Sequence, residues 1–295
     1  MTLMSGQTRA QIAVPAERFL ALIEVVAVWA SSLALLWAFS RGLPAIDDWQ
    51  RDVFGQPFLT TLFVFIALPL LLLLATRRSL PAYGLTFAPI ARPLEAGCLA
   101  LAVLGPLSGL AFPLLIALDL SPTGWPGAVV LALCYAASLP VVAYAVRNTQ
   151  PVEQRAPQAR AVTGLVLSLG LALALAALAR PHTSLVPAIL YRLFVVALAE
   201  EVFFRGYVQS RLNESFGRPY RLLGAPCGWG LAIAALFFGL AHALSPAGPF
   251  QWGWGLWTAI LGVIFGYLRE KSGSVLAPTV VHGILIAVAV IAGAG

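Results

Sequence analysis

The run Glu200-Glu201-Val202-Phe203-Phe204-Arg205 puts two carboxylates and a guanidinium into an otherwise apolar stretch. On a helix, Glu201 and Arg205 stand four apart and share a face, so they can form an ion pair. Glu200 is turned by about 100° from its neighbour and points elsewhere. One carboxylate is then neutralised in the fold while the other faces a cavity, where it can take a proton from water as a general base. The same run also suits a helix end at the cytoplasmic interface, with both acids and the arginine among lipid headgroups. Phe238 and His242 share a face on the next apolar stretch, and His282 lies in the last one, behind Gly273-Ser274 and Pro278. Each histidine alone reads as a packed residue bonded to a carbonyl. An acid and two imidazoles on three such stretches together are less easily dismissed as packing.

These groups stand out because ionisable side chains inside a membrane span cost roughly 2.5–3.5 kcal/mol each on insertion scales. Glu24 and Arg192 qualify too. They can pair across helices as a structural bridge, or Arg192 can meet a substrate carboxylate or a lipid headgroup. His182, beside Arg180 in a short loop, reads as solvated.

The elements that must hold these residues are transmembrane helices. Of 295 residues, 60% are hydrophobic and only 10% charged, and the mean hydropathy is +0.89. A soluble domain carries roughly 25% charged residues, so the solvent of this chain is lipid. A span needs about 20 apolar residues. Nine candidates follow: Phe19–Phe39, Phe58–Thr76, Ala96–Leu118, Ala128–Val146, Ala161–Ala179, Ser184–Phe204, Trp229–Leu244, Trp252–Leu268 and Val275–Gly293. The predicted fold is an all-α polytopic bundle of about nine spans, with eight possible. The seventh and eighth are short, and the seam between them is blurred. Met1 to Glu17 is polar, is expected to be loosely ordered, and is not followed by a signal-type apolar run.

With the N-terminus inside, fourteen basic residues fall in inner segments and three in outer ones, with Arg192 left in a span. That bias predicts a cytoplasmic N-terminus and an external C-terminus, and it accounts for the net charge of +6 without nucleic acid. Cys98, Cys134 and Cys227 lie far apart and read as small apolar packing residues. Arginine greatly outnumbers lysine, with Lys271 the only one, a composition that suggests a GC-rich bacterial gene and hence the inner membrane.

Taken together, Glu200-Glu201-x-x-x-Arg205, Phe238-x-x-x-His242 and His282 resemble the three main motifs of the CPBP membrane proteases. That family includes type II CAAX prenyl endopeptidases and bacteriocin-processing or self-immunity proteins. The stretch from Gly262 through Gly266, Gly273-Ser274 and Pro278 to His282 is similar to the family's C-terminal run. The resemblance spans about residues 190–290. It implies a protease core at 181–295, behind an N-terminal region at 1–180 of about five spans with no assigned role. It also implies an intramembrane glutamic endopeptidase acting on a membrane-anchored or membrane-delivered protein or peptide. Glu200 would deprotonate water, His242 would position it, and His282 would stabilise the oxyanion. Glu201 and Arg205, with Phe238, would support the site.

No cofactor is implied. Nothing in the spacing resembles HExxH, so no metal is expected, although two histidines and a glutamate could ligate one. The expected partners are the lipid bilayer and the substrate, with the substrate site unassigned. One departure is Ile286, where the family usually carries Asn four residues after the last histidine. This favours an alternative, a catalytically inactive immunity or scaffold protein. A transporter is a further alternative, but it predicts inverted repeats, and none is visible. The expected boundaries leave a tension, because Glu200 and His282 fall in the cytoplasmic half while His242 falls near the external end. The expected remedy is that the helix bearing His242 starts before Trp229, tilts or dips.

Overall fold

The computed structural model of the chain describes residues 15–86, 89–152, 157–244 and 248–291. Arg9, Arg155, most of the Met1–Glu17 segment and the Gly293 end of the last expected span lie outside them. Among the described residues, ten helices and one β-hairpin form an all-α bundle. The helix α1 runs from Pro15 to Gly42, with proline at its first position, where a missing N–H costs nothing. A short helix, α2 (Pro44–Phe54), occupies the connection that follows. It stops at Gly55, whose φ of +79° is open to glycine and whose N–H reaches the Arg51 carbonyl. Next come α3, made of Phe58–Leu62, the π-helical Phe63–Ala67 and Leu68–Ala75, then α4 (Ala91–Ala117), α5 (Trp125–Ala145) and α6 (Gln158–Ala179). Five of these, α1 and α3 to α6, are long and apolar enough to cross a membrane.

The element that orders the C-terminal part is α7. Leu185–Leu190, Leu198–Glu201 and Ser210–Phe216 are α-helical, and the π-helical segments Tyr191–Ala197 and Val202–Gln209 join them into one unbroken helix. The expected span ended at Phe204, so α7 ends twelve residues later than its apolar run suggested. Behind it, β1 (Tyr220–Leu222) and β2 (Ala225–Cys227) make a hairpin. Then follow α8 (Trp229–Ala243), α9 (Trp252–Ser272) and α10 (Leu276–Ile291).

The length of α7 resolves the depth problem. Phe216 and Trp229 flank the same hairpin, so depth can be counted from it. Glu200 lies sixteen residues up α7 and His242 thirteen residues up α8, both about 20–24 Å at 1.5 Å per residue. The helix bearing His242 starts at Trp229 after all. The error lay in the end of α7, whose polar last turns conceal a continuing helix. His282 is only six residues into α10, but α10 starts below the surface. Ser272, Ser274 and Val275 are buried, and their turn is covered by two loops through Val152 N–H to Ser272 O and Val275 N–H to Gly84 O.

The tightest helix pair is α8 with α9, and small residues permit it. A Cβ on Gly262 would stand 2.9 Å from the Ala235 Cα, and one on Gly255 would meet the Ala243 Cβ at 2.7 Å. Ala235, Gly239 and Ala243 recur every four residues along α8. In lipid, where helices gain little from hydrophobic association, such stripes bring backbones close enough for dispersion contacts to hold them.

Candidate active site

Glu201 and Arg205 pair as their spacing requires, Nη1 to Oε1 at 3.1 Å, with both side chains fully buried. Arg205 also donates to the Gly262 carbonyl at 3.3 Å. Its guanidinium carbon lies 4.3 Å from the Phe238 ring centroid and 5.3 Å from that of Phe265, a cation–π arrangement that offsets part of its desolvation. Two of the fourteen basic residues assigned to inner segments are therefore buried in the core: Arg205 within α7, and Arg269 in the last turn of α9.

His282 meets both carboxylates. Its Nδ1 lies 3.0 Å from Glu201 Oε1 and its Nε2 lies 3.9 Å from Glu200 Oε2. Glu200 does leave the helix in a different direction from Glu201, but the two acids converge on opposite nitrogens of one imidazole. Since Oε1 as a carboxylate oxygen can only accept, Nδ1 carries the proton. A neutral ring then presents a lone pair at Nε2, and only an imidazolium donates from both nitrogens. The ring is fixed by stacking on Phe265, with centroids 5.1 Å apart and planes 22° apart. Glu200 Oε2 and Glu201 Oε2 are buried without hydrogen-bond partners, and 3.9 Å is too long for a direct bond. Glu200 thus keeps an uncommitted oxygen beside an imidazole.

His242 Nδ1 lies 2.8 Å from the Phe238 carbonyl, so that nitrogen is the donor and a neutral ring keeps a free lone pair on Nε2. The Phe238 ring links the two histidines, 4.5 Å from His242 and 5.7 Å from His282 between centroids. Trp254 closes the other side of His242 at 5.1 Å. No polar contact among the described residues joins His242 to Glu200 or His282. All six residues of the sequence motifs are thus gathered, with His242 joined to the rest through an aromatic ring. Ile286, one turn beyond His282, is half-buried and offers no donor. Among the described residues, no group of three or more His, Cys, Asp or Glu side chains is placed to hold a metal.

This geometry sits inside a region that a family model matches. Residues 181–288 fit the Rce1-like family, described as type II CAAX prenyl endopeptidase Rce1-like. The C-terminal region of this chain belongs to the CPBP family. No curated protein and no solved structure matches the chain. The family match, together with the apolar helices, supports a multi-pass membrane protein of the protease class, and all six gathered residues fall inside the matched segment.

Several residues around the CPBP region escaped the sequence reading. Glu24 does not pair with Arg192. It accepts from Arg78 Nη2 at 3.0 Å, Arg211 Nε at 2.9 Å and the Tyr207 hydroxyl at 2.9 Å. Near it, outside the spans, the Tyr83 hydroxyl donates to Glu214 at 2.7 Å, and burial together with that carboxylate pushes the Tyr83 phenol above its ordinary value. Two α1 tryptophans reach α8: Trp29 donates to the Phe237 carbonyl and Trp37 to that of Leu244, both at 3.2 Å. A second buried polar group joins α7 to α9, where Gln209, Asn213 and Arg218 all donate to Glu270. Only the amphipathic mismatch of Glu24 within an apolar run signalled any of these, and it did not name the partners.

Proposed function

We propose that this protein is an intramembrane glutamic endopeptidase that cleaves a membrane-anchored or membrane-delivered protein or peptide. The observation that carries this reading is the convergence of Glu200 and Glu201 on the two nitrogens of His282. Glu200, with an uncommitted oxygen, takes a proton from water, and His242 accepts a hydrogen bond from the same water through Nε2. The hydroxide attacks the scissile carbonyl. The proton held by Glu200 can pass to His282 Nε2, which makes an imidazolium whose Nε2–H faces the developing oxyanion. Collapse returns that proton to the leaving amine, so that one water is consumed and no covalent intermediate forms. Glu201 and Arg205 act at one remove: they fix the proton on Nδ1 and hold the ring in place, the orienting role an acid plays behind a catalytic histidine.

The basic-residue bias supports an inner-membrane protein with its N-terminus in the cytoplasm and its C-terminus outside. A bacterial setting favours a bacteriocin leader or the C-terminal membrane tag of a surface protein over a prenylated substrate. The N-terminal region at 1–180 would then receive the substrate segment and the core at 181–295 would cut it. Ile286 favours a second reading, a fold retained for immunity or scaffolding without turnover.

Mass spectrometry of protein termini separates the two readings. Membranes are compared from cells with the native gene, without it, and with Glu200→Ala at equal abundance. Termini present only with the native protein support proteolysis by Glu200. Identical termini with Glu200→Ala remove Glu200 as the base, and three identical profiles favour the scaffold.

A further inference from the structure

In the short helix α2 only Gln50 is fully buried, and its contacts are polar. Gln50 Oε1 accepts from the Leu59 and Thr60 N–H groups at 2.6 and 3.1 Å, and its Nε2 donates to Thr60 Oγ1 at 2.8 Å. The side chain thus satisfies free N–H groups at the start of α3. Other ties reach the ends of further spans. α2 begins two residues after α1 ends at Gly42. Arg180, just past α6, donates to the Arg51 carbonyl at 3.3 Å. A Cβ on Gly55 would stand 3.2 Å from the Pro187 Cβ, in the first turn of α7. α2 therefore lies across the ends of α1, α3, α6 and α7, at the level where these helices stop or start.

At about 100° per residue, the side chains of α2 fall into three sectors. Gln50, Phe54 and Asp47 face the bundle: Phe54 meets Phe58 with ring centroids 5.9 Å apart, and Asp47 accepts from Thr60 Oγ1 at 3.2 Å. Ile46, Val53 and Trp49 form a second sector, centred about 100° from the first, and are 40%, 36% and 51% exposed. Asp48, Asp52 and Arg51 form the third, about 140° from the apolar one, and are exposed. A helix surrounded by water gains nothing by setting three large apolar side chains apart from its charges. A helix lying flat at a membrane surface does gain: one side leans on the protein, one face sinks to the acyl boundary and one meets water. Leu59 and Phe63, in the first two turns of α3, are exposed apolar side chains as well, so the lipid-facing surface of the spans reaches α2. Trp49 has the amphipathic ring that settles at headgroup level.

We infer, independently of the protease reading, that α2 is an in-plane helix whose partner is the lipid surface. Ile46, Trp49 and Val53 sit among the acyl chains, and Asp48 and Asp52 face the aqueous phase. With two acids beside one arginine in the water sector, apolar burial and not attraction to anionic headgroups holds α2 down. The plane it fixes bears on the site. Phe58 also meets Tyr191 of α7, with centroids 5.3 Å apart, and Glu200 stands nine residues further along α7, about 14 Å at 1.5 Å per residue. In a hydrocarbon core about 30 Å thick, a helix seated this way holds Glu200 near mid-depth.

The test uses the full native chain in phosphatidylcholine nanodiscs, one copy per disc. Some of the lipid carries a photoactivated carbene precursor near the headgroup end of one acyl chain. In a parallel sample, a water-soluble carbodiimide with glycinamide marks the carboxylates that water reaches, and peptide mass spectrometry locates both kinds of adduct. Lipid adducts should appear on Ile46, Trp49 and Val53, within a few-fold of the yield at Leu167 and Leu171, which are exposed on the span α6. Carbodiimide adducts should appear on Asp48 and Asp52, with lipid adducts there several-fold fewer than on the apolar sector. Absence of lipid adducts from α2 while Leu167 carries them overturns the inference, because α2 then stands clear of the bilayer. So does an even spread of lipid adducts over the apolar and charged sectors. Lipid adducts that vanish in discs holding two copies overturn it as well, since the apolar face is then an interface between copies of this chain. None of these readings requires cleavage of any substrate, so they stand whether or not the protein is a protease.

Discussion

At the scale of single residues, the buried pair Glu201–Arg205 makes the strongest demand on the fold. Removing one partner leaves an uncompensated charge in the core, which typically costs about 3–5 kcal/mol. Glu201→Ala should therefore lower thermal stability in detergent far more than Glu200→Ala, whose carboxylate is partly open and has no ion-pair partner within bonding distance. Replacing both Glu201 and Arg205 by apolar residues of similar volume should recover much of that loss without restoring activity, because His282 would lose the acceptor on Nδ1. Thermal melts of the two single variants and the double variant check this. Phe265→Leu makes a different prediction. It keeps most of the buried volume and removes the flat face on which His282 stacks, so kcat should fall by more than the modest loss of melting temperature explains; turnover and melting of the same preparation separate the two effects.

At the scale of elements, the site depends on how near α8 comes to α9. Gly262 both admits the Ala235 backbone and offers its carbonyl to Arg205. Gly262→Val should force the helices apart and withdraw that carbonyl from the Arg205 guanidinium. The expected result is a lower melting temperature together with loss of activity, whereas Gly109→Val, where no atom lies within 4 Å of a Cβ, should change neither. Much of this level was legible in the sequence. The apolar runs marked the helices, and the Glu201–Arg205 and Phe238–His242 spacings marked shared faces. The end of α7 was not legible, because Asn213, Glu214 and Ser215 read as loop until their tertiary partners are known: Asn213 donates to Glu270 on α9, and Glu214 accepts from Tyr83. The π-helical turns were not legible either, since an i→i+5 register leaves no mark on hydrophobic periodicity and follows from the packing on both sides.

At the scale of the whole molecule, α1 is fastened to the CPBP region at two depths. Glu24 binds Arg211 and Tyr207 of α7, and Trp29 and Trp37 reach carbonyls of α8 on either side of His242. Trp29→Phe with Trp37→Phe keeps the bulk and removes both indole donors, and should reduce activity with little loss of helicity, read by circular dichroism beside a cleavage assay. Sequence reasoning flagged Glu24 but gave it the wrong partner, because nothing local tells which of several distant arginines a lone carboxylate will meet. The bridge around Glu24 also has a history in time. Arg78 follows Glu24 by 54 residues and Arg211 by 187; at about 5–20 residues per second of synthesis, the first partner arrives within about ten seconds and the second only after about 10–40. During that wait Arg78 is the countercharge that lets a carboxylate-bearing first helix stay in the bilayer. Pulse-labelled membranes should therefore lose more newly made protein with Arg78→Ala than with Arg211→Ala, although both arginines hold the same carboxylate in the finished molecule.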